Sequence, residues 1–447
     1  TVFYRGELKK DKWDNFYCEQ SAIWYPRLEG RYKKNIELVF KILPEYSCIS
    51  NAKKVKEEVT GQHKIYKCIF EETYSNVVFK IGKFKTLQIY RQGFPDISIV
   101  LSEKYYMKLE DYFSRRRNID VERTIGNDVL NIIKLYSYLF GDFPYKKLTI
   151  TDSPYKGSIS YPGFIFLSFE YFKMLEYGGR TEIMRAHTIA HQWWGNSVET
   201  MTYHDMWISE GFAEYFGLWY LQWCTEDNER FFDILEEWNQ EIINNRKYLI
   251  RDGVESGAMY LGSRVITSET ESDYLLIIYK KAAVVVHMMR NMFLDLETMK
   301  ENKFIDLLHD LYKSFRGKVM CTEDFKEVIE KHMGGDMGWF FQQWIYESSI
   351  PSYKVSHFVF KEDKAYRLNI RVVQEDVPED FKAYVLLAIK FSAGKKVHKR
   401  LLVDKKINEY SFLTSEEPCG IIFNDFCSIL ADVEYVKYEN RKKEDGW

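Results

Sequence analysis

The sequence predicts a multidomain α+β protein in which a mostly helical central domain is flanked by β-sheet domains. Three observations carry that prediction. The chain has 447 residues, too many for one typical domain. Its two ends are rich in β-branched and aromatic segments that partly alternate. Between them, apolar residues recur at helical spacing. Hydrophobic residues make up 46% of the chain and aromatic residues 17%, enough to fill sizeable cores.

Residues 1–93 read as a partial amino-terminal β-domain. Its strand segments are IELVFKI (36–42), HKIYKCIF (63–70) and VVFKIGKF (77–84), with polar and charged clusters between them. Residues 94–350 change character. IGNDVLNIIKLYSYLFG (125–141) has helical periodicity and ends on a glycine. Further helices are expected at 181–194, 209–222, 228–245, 273–294, 302–315, 322–332 and 338–347. One short strand, KLTITD, is expected at 147–152. Residues 351–440 return to strands such as AYRLNIRVV and KAYVLLAIKF, joined by charged turns, as in a small β-sandwich. Residues 441–447 form a charged tail.

Composition excludes some functions. A net charge of −3 gives no electrostatic case for binding nucleic acid or an anionic membrane. The longest apolar runs, YLLII (274–278) and AAVVV (282–286), fall short of the ~20 residues of a membrane span. The seven cysteines are widely spaced, odd in number and without a Cys-x-x-Cys pair, so reduced thiols and a cytoplasmic location are expected. The chain opens TVFYRG without an initiator Met, as expected of a processed or trimmed chain.

The chemistry concentrates in RAHTIAHQWWGN (185–196). His187 and His191 lie four apart on an expected helix, so both rings share a face one turn apart and can hold one zinc ion. Thr181 is a candidate N-cap and Gly195 a candidate stop. Such a pair alone arises by chance among nine histidines. The next helix, WISEGFAEYFGLWYL (207–221), places Glu210 inside an apolar, aromatic run, where an acid is costly unless paired or metal-bound. Three protein ligands with a fourth position open are the catalytic type of zinc coordination. The alternative is a helix with one charged face, which Glu214 fits as well.

Together, HTIAHQWWGN and DMWISEGFAEYF resemble the zinc core of the aminopeptidase N family of gluzincins. That family has His-Glu-x-x-His, eighteen residues, then Glu, commonly within Asn-Glu-Gly-Phe-Ala. This chain has Ser209-Glu210-Gly211-Phe212-Ala213. SAIWYPR (21–27), IYKKAAVVVHMM (278–289) and FFQQWIYESSIPSYKV (340–355) extend the resemblance. It implies a thermolysin-like, mostly helical zinc catalytic domain, one zinc ion on His187, His191 and Glu210, and Tyr279 as stabiliser of the oxyanion.

Two positions depart from that pattern. Thr188 stands where the family has its general-base glutamate. Gly157-Ser158-Ile159-Ser160-Tyr161 stands where it has Gly-x-Met-Glu-Asn, so Ser160 takes the place of the carboxylate that grips a substrate's amine and Tyr161 that of the asparagine. Two functions remain open. One is a zinc metallohydrolase with altered or weakened activity towards a peptide or a small amide or ester, in which Glu214, Asp205 or His204 substitutes as base. Asp205 is also a candidate to orient a ligand histidine. The other is an inactive pseudo-peptidase that serves as a scaffold for a protein partner.

Overall fold

The computed structural model describes residues 8–17, 34–73, 77–114, 121–155, 157–172, 179–252, 257–266 and 273–438. SAIWYPR (21–27), residues 115–118 (RRRN) and the charged tail lie outside the described residues. Contacts divide the chain into two units. The first comprises residues 1–199, 216–224 and 316–318, and the second 200–215, 225–315 and 319–447. The protein is a mixed α+β multidomain chain.

The first unit opens with the short strands β1 (Lys9–Lys10) and β2 (Phe16–Tyr17). The strands β3 (Lys34–Ile42), β4 (Ser47–Ser50), β5 (Lys54–Thr60), β6 (His63–Thr73) and β7 (Phe79–Gly82) follow. They make two sheets, in the orders β1-β2-β7-β4 and β3-β6-β5. Their apolar faces meet in one core of Cys48, Ala52, Tyr66, Cys68, Phe70, Val77, Phe79 and Ile81. The alternation of HKIYKCIF puts Tyr66, Cys68 and Phe70 on the buried face.

A third sheet is built from β8 (Phe84–Ile89), β9 (Asp96–Ser102), β10 (Lys147–Asp152), β11 (Ile159–Tyr161) and β12 (Phe164–Leu167), in the order β11-β12-β10-β9-β8. Its three central strands are parallel and both edge pairings are antiparallel. The fully buried run FIFL of β12 fits a strand covered on both faces. Buried Lys80, on β7, reaches Asp152 at the end of β10, 2.7 Å away. The Ser102 backbone N–H and hydroxyl also donate to that carboxylate, at 2.8 and 2.6 Å.

Helices α1 (Glu103–Ser114), α2 (Val121–Phe140) and α3 (Arg180–Ala190) belong to the first unit. Arg185 on α3 is fully buried and pairs with Asp128 on α2 and, at 3.4 Å, with Glu182. The Tyr220 hydroxyl donates to the same Asp128 carboxylate. Trp193, just past α3, packs edge-on against Tyr136, Phe140 and Phe143. Its indole N–H donates to Gly141 O at 3.0 Å.

Helix α4 (Met206–Thr225) contributes residues to both units. It is apolar on every side and correspondingly buried. The second unit continues with α5 (Asn228–Asp252), a π-helix (Leu275–Lys281), α6 (Ala282–Phe293), α7 (Asn302–Phe315) and α8 (Thr322–Met333). Two short strands, β13 (Val198–Thr200) and β14 (Lys318–Met320), lie between helices. The strands β15 (Ser352–Glu362), β16 (Ala365–Glu375), β17 (Ala383–Lys390), β18 (Lys396–Val403), β19 (Ile407–Thr414), β20 (Gly420–Phe423) and β21 (Asp432–Tyr435) close the unit. They form sheets β19-β16-β15-β21 and β18-β17-β20, which meet where Tyr353 packs on Phe423. Buried His287 on α6 bonds Phe426 O at 2.7 Å and the Tyr215 hydroxyl at 2.9 Å, joining helices to strands within the unit.

Candidate metal centre

Helix α3 begins differently from the sequence expectation. Its N-cap is Gly179, at φ 89°, and not Thr181. A side chain at Gly179 would meet Leu221 at 2.6 Å, so both the backbone conformation and the packing favour glycine there. The Thr181 hydroxyl turns instead to Glu182, at 2.8 Å. The α-helical turns end at Ala190, and Gly195 sits in the following turn at φ 113°.

His187 is buried and His191 partly buried on the last turns of α3. Their Nε2 atoms face each other 3.1 Å apart. Two nitrogens bound ~2.0–2.1 Å from a tetrahedral zinc stand about 3.3 Å apart, so this spacing fits a shared ion. His191 Nδ1 lies 2.9 Å from Trp194 O. A carbonyl can only accept, so the proton is on Nδ1 and the Nε2 lone pair is directed at the cluster.

Glu210 lies on α4, and the ligand atoms of His187, His191 and Glu210 all lie within 4.8 Å of one another. Two glycines of α4 account for the close packing around it. At Gly217, an added Cβ would stand 2.6 Å from Ile183 O and 3.3 Å from His187 N, so α4 rests on the backbone of the ligand-bearing turn of α3. At Gly211, an added Cβ would stand 2.5 Å from the Cβ of Ala282, the first residue after the π-helix. That approach brings Tyr279, on the π-helix, into a hydrogen bond with Glu210. Burial, then the Glu210 charge, pushes the Tyr279 phenol far above its ordinary value, so it is a hydrogen-bond donor. Tyr274 packs against Tyr279 with ring centroids 5.9 Å apart. Burial and Glu210 raise it to about 12.

Thr188 is 3% exposed, and its hydroxyl donates to Met184 O one turn back, at 2.7 Å. Ser160 lies on β11 beside the end of α3. Its Oγ accepts from Gln192 Nε2 at 2.7 Å and from Asn196 Nδ2 at 3.1 Å. Gln192 is held in that orientation by Gly163 N–H, which donates to its Oε1, and by Tyr161 O, which accepts from its Nε2. The Tyr161 ring turns into the core with Val78, Phe164 and Phe166. Gly157 is exposed, and its carbonyl accepts from Ser153 Oγ at 2.7 Å. Asp205 does not orient a ligand histidine. One of its oxygens accepts from the Thr202 N–H and hydroxyl, the other from the N–H and hydroxyl of Thr322. His204 stacks on Tyr260, and Glu214 is buried on α4.

Sequence reasoning did not single out Gln192, Asn196, Tyr274 or the two glycines. All lie inside or beside the quoted motifs, but their roles depend on contacts with distant residues. Gln192 meets Ser160 across 32 positions of sequence.

Residues 173–344 match the peptidase family M1 domain. Aminopeptidase M1-D of Oryza sativa subsp. japonica is 23% identical over 340 residues, which is 74% of this chain and 36% of the rice protein. Endoplasmic reticulum aminopeptidase 2 of Bos taurus is 29% identical over 128 residues, 29% of this chain and 12% of that protein. The thyrotropin-releasing hormone-degrading ectoenzyme of Rattus norvegicus is 30% identical over 110 residues, 24% of this chain and 9% of that protein. The chain spans little more than a third of the length of the rice aminopeptidases it matches, 36% and 38% of the first two. By its peptidase family M1 domain and these relatives, the chain is related to the aminopeptidase N family.

Proposed function

We propose that the chain is a zinc-binding, aminopeptidase-like metallohydrolase whose power to cleave amides is weakened. The reading takes the central helices as a thermolysin-like catalytic domain, with His187, His191 and Glu210 as ligands of one zinc ion. The observation that carries it is the facing pair of Nε2 atoms at 3.1 Å, with the His191 tautomer set by Trp194 O. A bound zinc ion would supply Lewis acidity towards a substrate carbonyl oxygen. Tyr279, kept protonated, would donate a hydrogen bond to the oxygen on which charge develops.

The weakening follows from two side chains. Thr188 has no useful basicity near neutral pH, and its proton is already given to Met184 O. Loss of a positioned acid–base group costs about 10²–10⁴-fold in rate. Ser160 places a neutral oxygen, already engaged by two amides, where a carboxylate would grip an ammonium group. These same two observations favour a second reading, a pseudo-peptidase that binds peptide or a protein partner without turning it over.

Elemental mass spectrometry on chelator-free protein, beside His191→Ala, tests the first reading. One zinc per chain, lost in the variant, is expected. Absence of zinc after the metal is supplied would sink the enzyme reading and leave the scaffold.

A further inference from the structure

Cys48 and Cys68 come from opposite sheets of the amino-terminal β-domain. Cys48 lies on β4, paired with Ile81 of β7. Cys68 lies on β6, between Leu38 of β3 and Val55 of β5. Both are buried members of the one core on which the two sheets close. Their thiols hydrogen-bond to each other there. Ser50 Oγ stands 3.7 Å from Cys68 Sγ on the other side. Two buried thiols that interact from facing sheets are candidates for a cross-link. Other described cysteines lack such a companion: Cys224 and Cys419 are exposed, Cys321 caps the helix that holds Asp324, and the Cys427 thiol faces Glu236 at 3.9 Å.

We propose that Cys48 and Cys68 are a disulfide-forming pair that staples the two sheets of the amino-terminal β-domain together. The oxidant is a small-molecule disulfide. The Cys68 thiolate attacks one sulfur of the oxidant, forming a mixed disulfide and expelling one thiolate. The Cys48 sulfur, giving up its proton, then attacks Cys68 Sγ and expels the second. Two electrons and two protons pass from the pair to the oxidant.

The local chemistry selects Cys68 as the first nucleophile. Its hydrogen bond from Cys48 draws the thiol down to about 7, helped by Ser50 and the Lys147 ammonium and opposed by burial. Cys48 is raised by that same hydrogen bond and by desolvation. Lys147 is fixed nearby through Ala52 O, at 2.5 Å. This departs from the reduced state expected from cysteine spacing, because spacing along the chain does not show which strands face each other. Since both thiols are enclosed in the folded domain, the oxidant reaches Cys68 only while the sheets are open, and the bond once formed resists reduction.

The test is peptide mapping of the full chain refolded or incubated in oxidised glutathione, with free thiols alkylated before digestion. A Cys48–Cys68 cross-linked peptide is expected, together with a melting temperature several degrees higher in oxidised than in reduced protein. Cys68→Ala should abolish both the cross-link and the redox dependence of melting. Recovery of Cys48 and Cys68 as separate alkylated peptides, in protein whose Cys224 and Cys419 have taken up glutathione, would overturn the proposal. So would a cross-link that leaves the melting temperature unchanged or lower, since a staple must stabilise.

Discussion

Gly217→Ala would put a methyl group between α4 and the turn of α3 that carries His187. Two opposing effects set the outcome. In an exposed helix, alanine is favoured over glycine by about 1 kcal/mol. Here the new Cβ would stand 2.6 Å from Ile183 O, 3.2 Å from Ile183 Cγ2 and 3.3 Å from His187 N. The nearest of these contacts is with backbone oxygen, which cannot swing aside as a side-chain tip can. Overpacking therefore costs near the upper end of its usual range, about 3 kcal/mol. The net loss is about 2 kcal/mol, and α3 must shift by a few tenths of an ångström to accept the methyl. Zinc affinity should fall at least ~10-fold, since that corresponds to only ~1.4 kcal/mol of misplaced ligand geometry. The assay is urea unfolding beside zinc titration against a competing chelator. Gly335→Ala is the control: an added Cβ there meets nothing within 4 Å, and both readouts should match the parent protein. A Gly217→Ala protein as stable as the parent, with unchanged zinc affinity, would refute the argument that this close approach positions the ligands.

Further outcomes follow from the same structure. Burial holds His287 at about 3, against an ordinary 6.5. The unfolded chain therefore takes up a proton that the folded chain refuses. This contribution is full above pH ~6.5 and is lost as pH falls towards 3, worth about 5 kcal/mol in all. His287→Gln should flatten that part of the stability–pH curve, and an unchanged acid limb would contradict the assignment. Arg185→Met strands Asp128 and Glu182 without their cation and should cost about 3–5 kcal/mol by urea unfolding. Adding Asp128→Asn should recover part of that loss, and no recovery would argue against the pairing. Thr188→Glu with Ser160→Glu should raise hydrolysis of aminoacyl amides by about 10²-fold when zinc is bound. No gain across an amide panel would count against the proposed roles of both positions.

Parts of this architecture could be read from residues alone. NKFIDLLHDLYKSF folds over the span that its periodicity indicates because one face, with Phe304, Leu307, Leu308 and Leu311, is buried. KLTITD does so although burial alternates only as far as Ile150, with Thr151 and Asp152 both buried. The segment 273–294 reads as one amphipathic helix but begins as a π-helix, since apolar spacing does not distinguish hydrogen bonds to the fifth residue from those to the fourth. The helix Glu103–Ser114 was not singled out, although Tyr105, Leu109 and Phe113 form a buried stripe at helical spacing. The His-x-x-x-His spacing is local and therefore visible. The environment of Thr188 and Ser160 is not, because it depends on a backbone carbonyl and two amides brought in by folding. Gly211 and Gly217 look like weak points of a helix until the neighbouring backbones are known.

The π-helix also bears on how this segment is to be compared with its relatives. Relative to α-helix, such a turn takes in roughly one additional residue, and each residue of α-helix rotates the chain by about 100°. A relative that crosses the same segment as ordinary α-helix would be correctly aligned only with a one-residue gap between Leu275 and Lys281. Aligned without it, the tyrosine at Tyr279 would be matched to a position on another face of the helix. Deleting one residue between Leu275 and Ile278 would make the same change physically: the fold would persist, while the phenol would turn away from Glu210. The extra residue taken in by the π-turn thus accounts for the aim of that hydroxyl as much as the choice of side chain does.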